Sequence, residues 1–356
     1  MLNLRHLNLK MPKLSIATLL LFLFFTQPVR LTAFETDQYN LPPEPLADIG
    51  GEVYEYALDN IRKAVEKLNA DIVEKHECLE RSSCTGKPTA RKRLEYLRSE
   101  IAVARAVYDR LGFGIIAFAR AGNWMNTHKF KAQPARFKTS YRESIFVSIP
   151  TDYLTISPTV NIYGTHLGTD KIAHFFQQGY TYYRIAGREI AKDSSIEAAE
   201  AKAVAWGRMT ENTYYGTLVG GVFSNADLAA NYAGMRFYEG LTNAVKVGDI
   251  DRPATLILEN GLWKLNDTGA SEKVLLRPFI SDHWNEALNP SLFIPGLRSS
   301  IREIVRKQSC PQWPTAYPNR SGEDFRTLTE SLTTWHGENY GHKPSKKLVT
   351  IANTCY

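Results

Sequence analysis

The stretch EVYEYALDNIRKAVEKLNADIVEKHECLE, Glu52 to Glu80, decides the fold class. Its apolar residues Val53, Ala57, Ile61, Val65, Leu68 and Ile72 recur at three- and four-residue spacing, the repeat of one face of an α-helix. Toward the C-terminus a second stripe, Leu94, Leu97, Ile101, Ala104 and Val107, predicts another helix from about Thr89 to Leu111. Cys78 and Cys84 lie by the polar connection between the two, and two amphipathic helices so joined form an antiparallel hairpin over residues 51–112. Toward the N-terminus, Leu41-Pro42-Pro43-Glu44-Pro45 cannot be helical, which makes residues 34–50 an extended lead-in against the body.

Residues 113–356 read as the main helical domain with its C-terminal tail. From Phe113 to Pro158 the chain is aromatic and punctuated by proline, an irregular segment in which Ser144 to Ile149 is β-prone. Three helices then fill residues 169 to about 245, starting at Thr169, at Ser194 or Ser195, and at Ser224. At the last of these, Asp227 completes a pattern like a capping box. Gly216 to Gly221 is a glycine-rich connection. Beyond 246 the chain is loop-rich, with a hairpin around Thr255 to Leu265 and helices from Ser281 and near Ser299 to Arg306. No repeat appears, and nothing between 52 and 310 reads as a linker. The expectation is a mainly α protein: one compact helical domain, an N-terminal helical hairpin, and a loop-rich, disulfide-tied C-terminal part with minor β.

The first 33 residues read as a cleavable signal peptide. Arg5, Lys10 and Lys13 precede the charge-free run Leu14 to Phe25, and Leu31-Thr32-Ala33 ends in a small residue suited to cleavage before Phe34. The run is too short to cross a bilayer, so no transmembrane span is expected after cleavage, and the mature chain is placed in the periplasm or outside the cell. Arg5, Lys10, Lys13 and Arg30 are the only charged residues in that segment, so without it the formal charge of +6 falls to +2. Such a balance, with the basic residues of 81–107 spaced along a helix, excludes a nucleic-acid binder. Four cysteines in an exported chain imply disulfides, and the pairing local in sequence is Cys78 with Cys84 and Cys310 with Cys355.

The densest group of chemically capable residues is Tyr163-Gly-Thr-His-Leu-Gly-Thr-Asp-Lys-Ile-Ala-His-Phe-Phe176. Asp170 and His174, four apart, share one helix face, and a carboxylate beside an imidazole orients its tautomer and raises its basicity. That suits a base or a metal ligand. Equally, Asp170 in a first turn complements the helix dipole, and His174 among aromatics is an ordinary hydrogen-bonded core histidine. The pattern Asp170-Lys171-x-x-His174-Phe175 resembles a motif of VanZ-like and related bacterial envelope proteins; it covers six residues, and those are multi-span membrane proteins, so the resemblance implies no fold or activity. More widely, Gly168 to Tyr183 with Gly221 to Leu228 resembles a group of exported proteobacterial proteins of unassigned function, which implies location rather than chemistry.

A second group begins at Glu211, before Tyr214, Tyr215 and the glycine-rich loop. A carboxylic acid partly desolvated there has its pKa raised toward neutrality, as a bond-cleaving acid requires, although a surface or salt-bridged glutamate fits as well. The run Asn231-x-x-Gly234-x-x-Phe237-Tyr238 resembles the helix after the active site of lytic transglycosylases of the lysozyme superfamily, which use one catalytic glutamate. The distance from Glu211 is shorter than in that family, and its Gly-Leu-Met-Gln segment is absent.

In a third patch His283 and Glu286 lie one turn apart, and with His174 and Glu211 they offer a mixed histidine and carboxylate metal site. No established metalloprotease spacing, G-x-S-x-G or phosphate-binding glycine loop occurs, so no cofactor is expected. Two functions follow. One is a hydrolase of a cell-wall glycan or other envelope polymer, with Glu211, His174 and Asp170 catalytic and Lys171, Tyr214, Tyr215, Asp227 and Asn231 holding the substrate. The other is a non-catalytic envelope scaffold or binding protein in which the same residues form a buried polar network.

Overall fold

The stripe of residues 52–80 becomes helix α1, Gly50–Glu80, and its apolar face, including Val53, Ala57, Ile61, Leu68 and Ile72, is buried. Full burial of one such aliphatic side chain contributes about 1.5–3 kcal/mol. The computed structural model describes residues 35–114, 119–147, 149, 153, 156–213, 215–218 and 220–356; the expected signal peptide and Tyr214 lie outside them. The protein is mainly helical, and Thr32–Tyr356 forms one compact unit.

α1 packs on α2, Lys87–Leu97, and α3, Glu100–Leu111, where the sequence predicts one continuous helix. The break is local chemistry. Ser99 is extended, its hydroxyl accepts from the Ala102 N–H at 3.4 Å to cap α3, and Arg98 Nε donates to the Gly261 carbonyl at 3.0 Å. A short helix the sequence reading missed, α4, spans Arg120–Thr127. Of the β-prone residues, Ile145 to Val147 form a turn rather than a strand. The Ile145 N–H donates to Asp37 Oδ2 at 3.1 Å and the Phe146 N–H to Ser144 Oγ, so side chains satisfy donors that a strand would give to a neighbour.

An antiparallel hairpin, β1 Thr159–Ile162 with β2 Thr165–Gly168, delivers the chain into α5, Thr169–Ala173. Gly168, not Thr169, occupies the N-cap. A π-turn, His174–Gln178, follows, and the helix resumes as α6, Gly179–Ile190. α6 packs against α7, Ile196–Glu211, and α8, Asn225–Glu239, whose N-caps Ser195 and Ser224 accept from the N–H groups of Ala198 and Asp227. At the α6–α8 crossing a Cβ on Gly179 would stand 2.5 Å from Gly234 Cα, and one on Gly234 2.0 Å from the Phe175 carbonyl oxygen. Only glycine permits that backbone contact.

Short antiparallel pairs follow: β3 Val222–Phe223 with the distant β8 Leu292–Phe293, β4 Val245–Val247 with β5 Ile250–Arg252, and β6 Leu256–Glu259 with β7 Leu262–Leu265. The helix expected from Ser281 is only a 3₁₀ turn, Asp282–Trp284. It stops where the Asn285 side chain accepts from the N–H groups of Ala287 and Leu288. A second apolar cluster around Tyr39, Trp313, Phe325 and Val349 anchors the C-terminal part, with α9 Pro295–Ile304, α10 Gly322–Ser331 and α11 Ile351–Cys355. All four cysteines are paired, Cys78 with Cys84 and Cys310 with Cys355. No helix among the described residues is long and apolar enough to cross a membrane.

The lead-in lies against the body through residues other than its prolines. Glu35 to Asn40 are buried, whereas Pro43 to Pro45 are exposed.

Candidate functional site

Lys171, on α5, is completely buried. A buried ammonium needs opposite charge, and three carboxylates supply it, each 2.5 Å from Nζ: Asp170 Oδ2, Asp227 Oδ1 and Glu286 Oε1. They arrive from α5, from the first turn of α8 and from the turn after Trp284. Burial opposes the charge of Lys171, but Asp170, Asp227 and Glu286 outweigh it and hold the ammonium well above its ordinary pKa.

Hydroxyls and amides fix the carboxylates. Thr36 Oγ1 donates to Asp170 Oδ1 at 2.6 Å, and Gly168 has no Cβ because one would stand 2.1 Å from that hydroxyl. Ser224 Oγ donates to Glu286 Oε1 at 2.7 Å, Ser291 Oγ donates to Glu286 Oε2, and the Glu286 N–H donates to Gln38 Oε1. Glu211 Oε1 accepts from the Ser224 N–H at 2.9 Å. Ser224 therefore joins the end of α7, the start of α8 and Glu286.

His174 opens the π-turn and is the most accessible member, its side chain 12% exposed. Nε2 lies 3.3 Å from Asp227 Oδ2 and Nδ1 3.0 Å from Asn231 Oδ1. π-turns inside helices are frequent at functional sites. The sequence reading made Asp170 the orienting partner of His174; the structure corrects this. Asp170 faces Thr36 and Lys171, and the carboxylate beside the imidazole is Asp227, brought by the neighbouring helix.

The electrostatics divide the carboxyls. Burial, then the charge of Asp227, pushes Glu211 and Glu35 well above the usual carboxylate range, and burial also raises Glu286. Asp227 goes the other way: burial opposes its ionisation, but His174 and Lys171 prevail and hold it below its ordinary value. One cluster thus holds carboxyls pushed in opposite directions, Asp227 down and Glu211, Glu35 and Glu286 up, the kind of division that acid–base chemistry uses.

Of the residues singled out from sequence, Asp170, Lys171, His174, Glu211, Asp227, Asn231 and Glu286 meet here. Lys171, Asp227 and Asn231 were expected to hold substrate, but all three are buried and act from within the network. His283 does not join it. Its Nε2 is 2.8 Å from the Thr334 carbonyl and its Nδ1 3.0 Å from Ser281 Oγ, while the oxygens of Glu286 go to Lys171, Ser224 and Ser291, so these two residues do not share a metal. Tyr215 is half-buried, its ring 6.3 Å from that of Trp206. Sequence reasoning missed Glu35, Thr36 and Gln38: it laid the lead-in against the body, but no local pattern says which of its side chains reach the cluster. Comparison with known protein families, curated proteins and solved structures finds no match to this chain.

Proposed function

We propose that this chain is an exported hydrolase of the cell envelope, cutting a cell-wall glycan or other envelope polymer. The arrangement that carries the chemistry is the division at Ser224: Asp227, 3.3 Å from His174, has its pKa lowered, while Glu211, which accepts from the Ser224 N–H at 2.9 Å, has its pKa raised by burial and by the charge of Asp227. Asp227 and His174 then form the base that activates water, and Glu211 is the proton reservoir for the leaving group. Export is supported by the basic and apolar pattern of residues 1–33, a placement as periplasmic or secreted, and by two disulfides, which persist in oxidising compartments.

One observation favours a second reading, a non-catalytic envelope scaffold or binding protein. Lys171 is wholly buried and ties together the lead-in, through Asp170 and Thr36, and residues 227 and 286. Glu211→Gln separates the two, since it keeps shape and most hydrogen bonding. An enzyme releases soluble fragments from isolated cell-wall material, and the variant loses that activity with a melting temperature within about 2 °C of the parent's. A scaffold releases nothing, and breaking its network costs a few kcal/mol. No release by the parent chain together with early melting of the variant would refute the hydrolase proposal.

A further inference from the structure

We infer that Asp170, His174 and Asp227 form a binding site for one divalent transition-metal ion of the zinc class. One ring nitrogen of His174 and one oxygen from each aspartate all lie within 4.8 Å of one another. Ligands about 2.0–2.2 Å from a common ion stand at most about 4.4 Å apart, so side-chain shifts of less than about 1 Å close the set. Two of the three residues sit four apart on one helical run, and the third is on the first turn of α8, so the ligands are carried by packed elements rather than loops.

The imidazole is oriented for ligation. Nε2 of His174 faces Asp227 Oδ2 at 3.3 Å, on the side of the two aspartates, and Nδ1 lies 3.0 Å from Asn231 Oδ1, which fixes the ring from the other side. A histidine ligand whose other nitrogen donates to a fixed oxygen is the usual outer-shell arrangement of metal sites.

Lys171 does not occupy the same place. It takes Asp227 Oδ1, leaving Oδ2 to the side of His174, and it takes Asp170 Oδ2 while Thr36 steadies Oδ1. Its single positive charge is shared among Asp170, Asp227 and Glu286, so the three carboxylates outnumber the ammonium and the cluster accommodates further positive charge. One imidazole and two carboxylates select a borderline ion such as Zn²⁺ over Ca²⁺ or Mg²⁺, which prefer all-oxygen shells. Three protein ligands leave a position open for water, as in catalytic zinc sites. The inference goes beyond the hydrolase proposal and stands without it; if both hold, His174 serves as a ligand and a metal-bound water takes over its part as base.

The test is titration calorimetry of the full mature chain, stripped with chelator and dialysed, with zinc chloride as probe. The expected result is about one ion per chain, with affinity reduced at least about 100-fold in His174→Gln and in Asp227→Asn and unchanged in His76→Ala, at an exposed helical position. Melting of the metal-free variants identifies any that fail to fold, and the visible spectrum of the cobalt-loaded parent protein, altered in His174→Gln, gives a second readout. Absence of zinc binding by the parent chain, or binding that His174→Gln leaves intact, overturns the inference. Cell-wall cleavage at full rate by stripped protein that takes up no zinc also overturns it, and leaves the hydrolase proposal standing.

Discussion

Replacing Lys171 by methionine keeps the length of the side chain and removes its charge, and the structure gives both the size and the pH dependence of the effect. Three carboxylates lose a partner at 2.5 Å in a site without solvent exposure. Removing one partner of a buried ion pair costs about 3–5 kcal/mol, because the charge left behind is neither paired nor hydrated. Protons can substitute for the missing ammonium, so the cost varies with pH. Lys171 lowers the pKa of Asp227, Glu286, Glu211 and Glu35, and without it all four move up. A carboxyl whose folded pKa is raised binds more protons folded than unfolded. It therefore destabilises progressively as pH climbs above the unfolded value near 4.5, and not below it. The deficit of the variant should be widest at pH 7–8 and narrow toward pH 4–5. At about 2 °C per kcal/mol for a domain of this size, the melting temperature should fall by roughly 6–10 °C at pH 7.5 and by less than about half of that at pH 5. Circular-dichroism melts across that range measure it. A shift under about 2 °C at neutral pH, or one of equal size at every pH, would show that Lys171 does not neutralise the cluster.

Removing the Cys310–Cys355 disulfide, which spans 45 residues, should cost about 4 kcal/mol in loop entropy, against about 2 for Cys78–Cys84, which spans 6. Urea midpoints of the two double-alanine variants check the order, and a larger loss from the shorter loop contradicts the entropic account. His283 is held neutral by burial, its pKa pushed down to about 4. The unfolded chain takes up that proton near 6.5, so this histidine contributes stability above about pH 6.5 that is lost as pH falls toward 4, up to about 3 kcal/mol. His283→Gln should flatten the acid limb of stability against pH, and an unchanged limb rules the residue out as its source.

The helical class was legible because α1 carries its whole instruction in one stripe, and Ser195 and Ser224 cap helices through their own neighbours. The break at Ser99 was not legible, since a serine inside an amphipathic stripe caps a new helix only when something holds the chain extended there, and here Arg98 is fixed by the carbonyl of Gly261, 163 residues away. The candidate site divides along the same line. Asp170, Lys171 and His174 are visible as neighbours in sequence, but which carboxylate serves which cation depends on how α8 crosses the helix carrying them. Spacing of four residues made Asp170 the partner of His174; the crossing made it Asp227. Thr36 and Gln38 reach the cluster over 134 and 248 residues of sequence, and no local pattern encodes such contacts.

The glycine crossing explains why a charged cluster can exist at this depth. Gly179 and Gly234 let α6 and α8 touch backbone to backbone, and His174 and Asn231 stand five and three residues before that contact. Two helices clamped so closely hold their side chains in a geometry that longer residues at the crossing would splay apart. The cluster beside the clamp is buried, and burial strengthens the ion pairs of Lys171 while raising the pKa of Glu211 and Glu35. As a device for stability alone the arrangement is poor. Well-packed apolar residues in place of a buried ion cluster are often as stabilising or more so, and the burial of Glu211 and Glu35 adds desolvation costs. What the arrangement supplies that an apolar core cannot is a fixed set of carboxyls with pKa values driven apart, with an imidazole at its accessible edge. That separation is useful for moving protons or binding a cation, which is the ground on which the hydrolase reading is proposed ahead of the scaffold one.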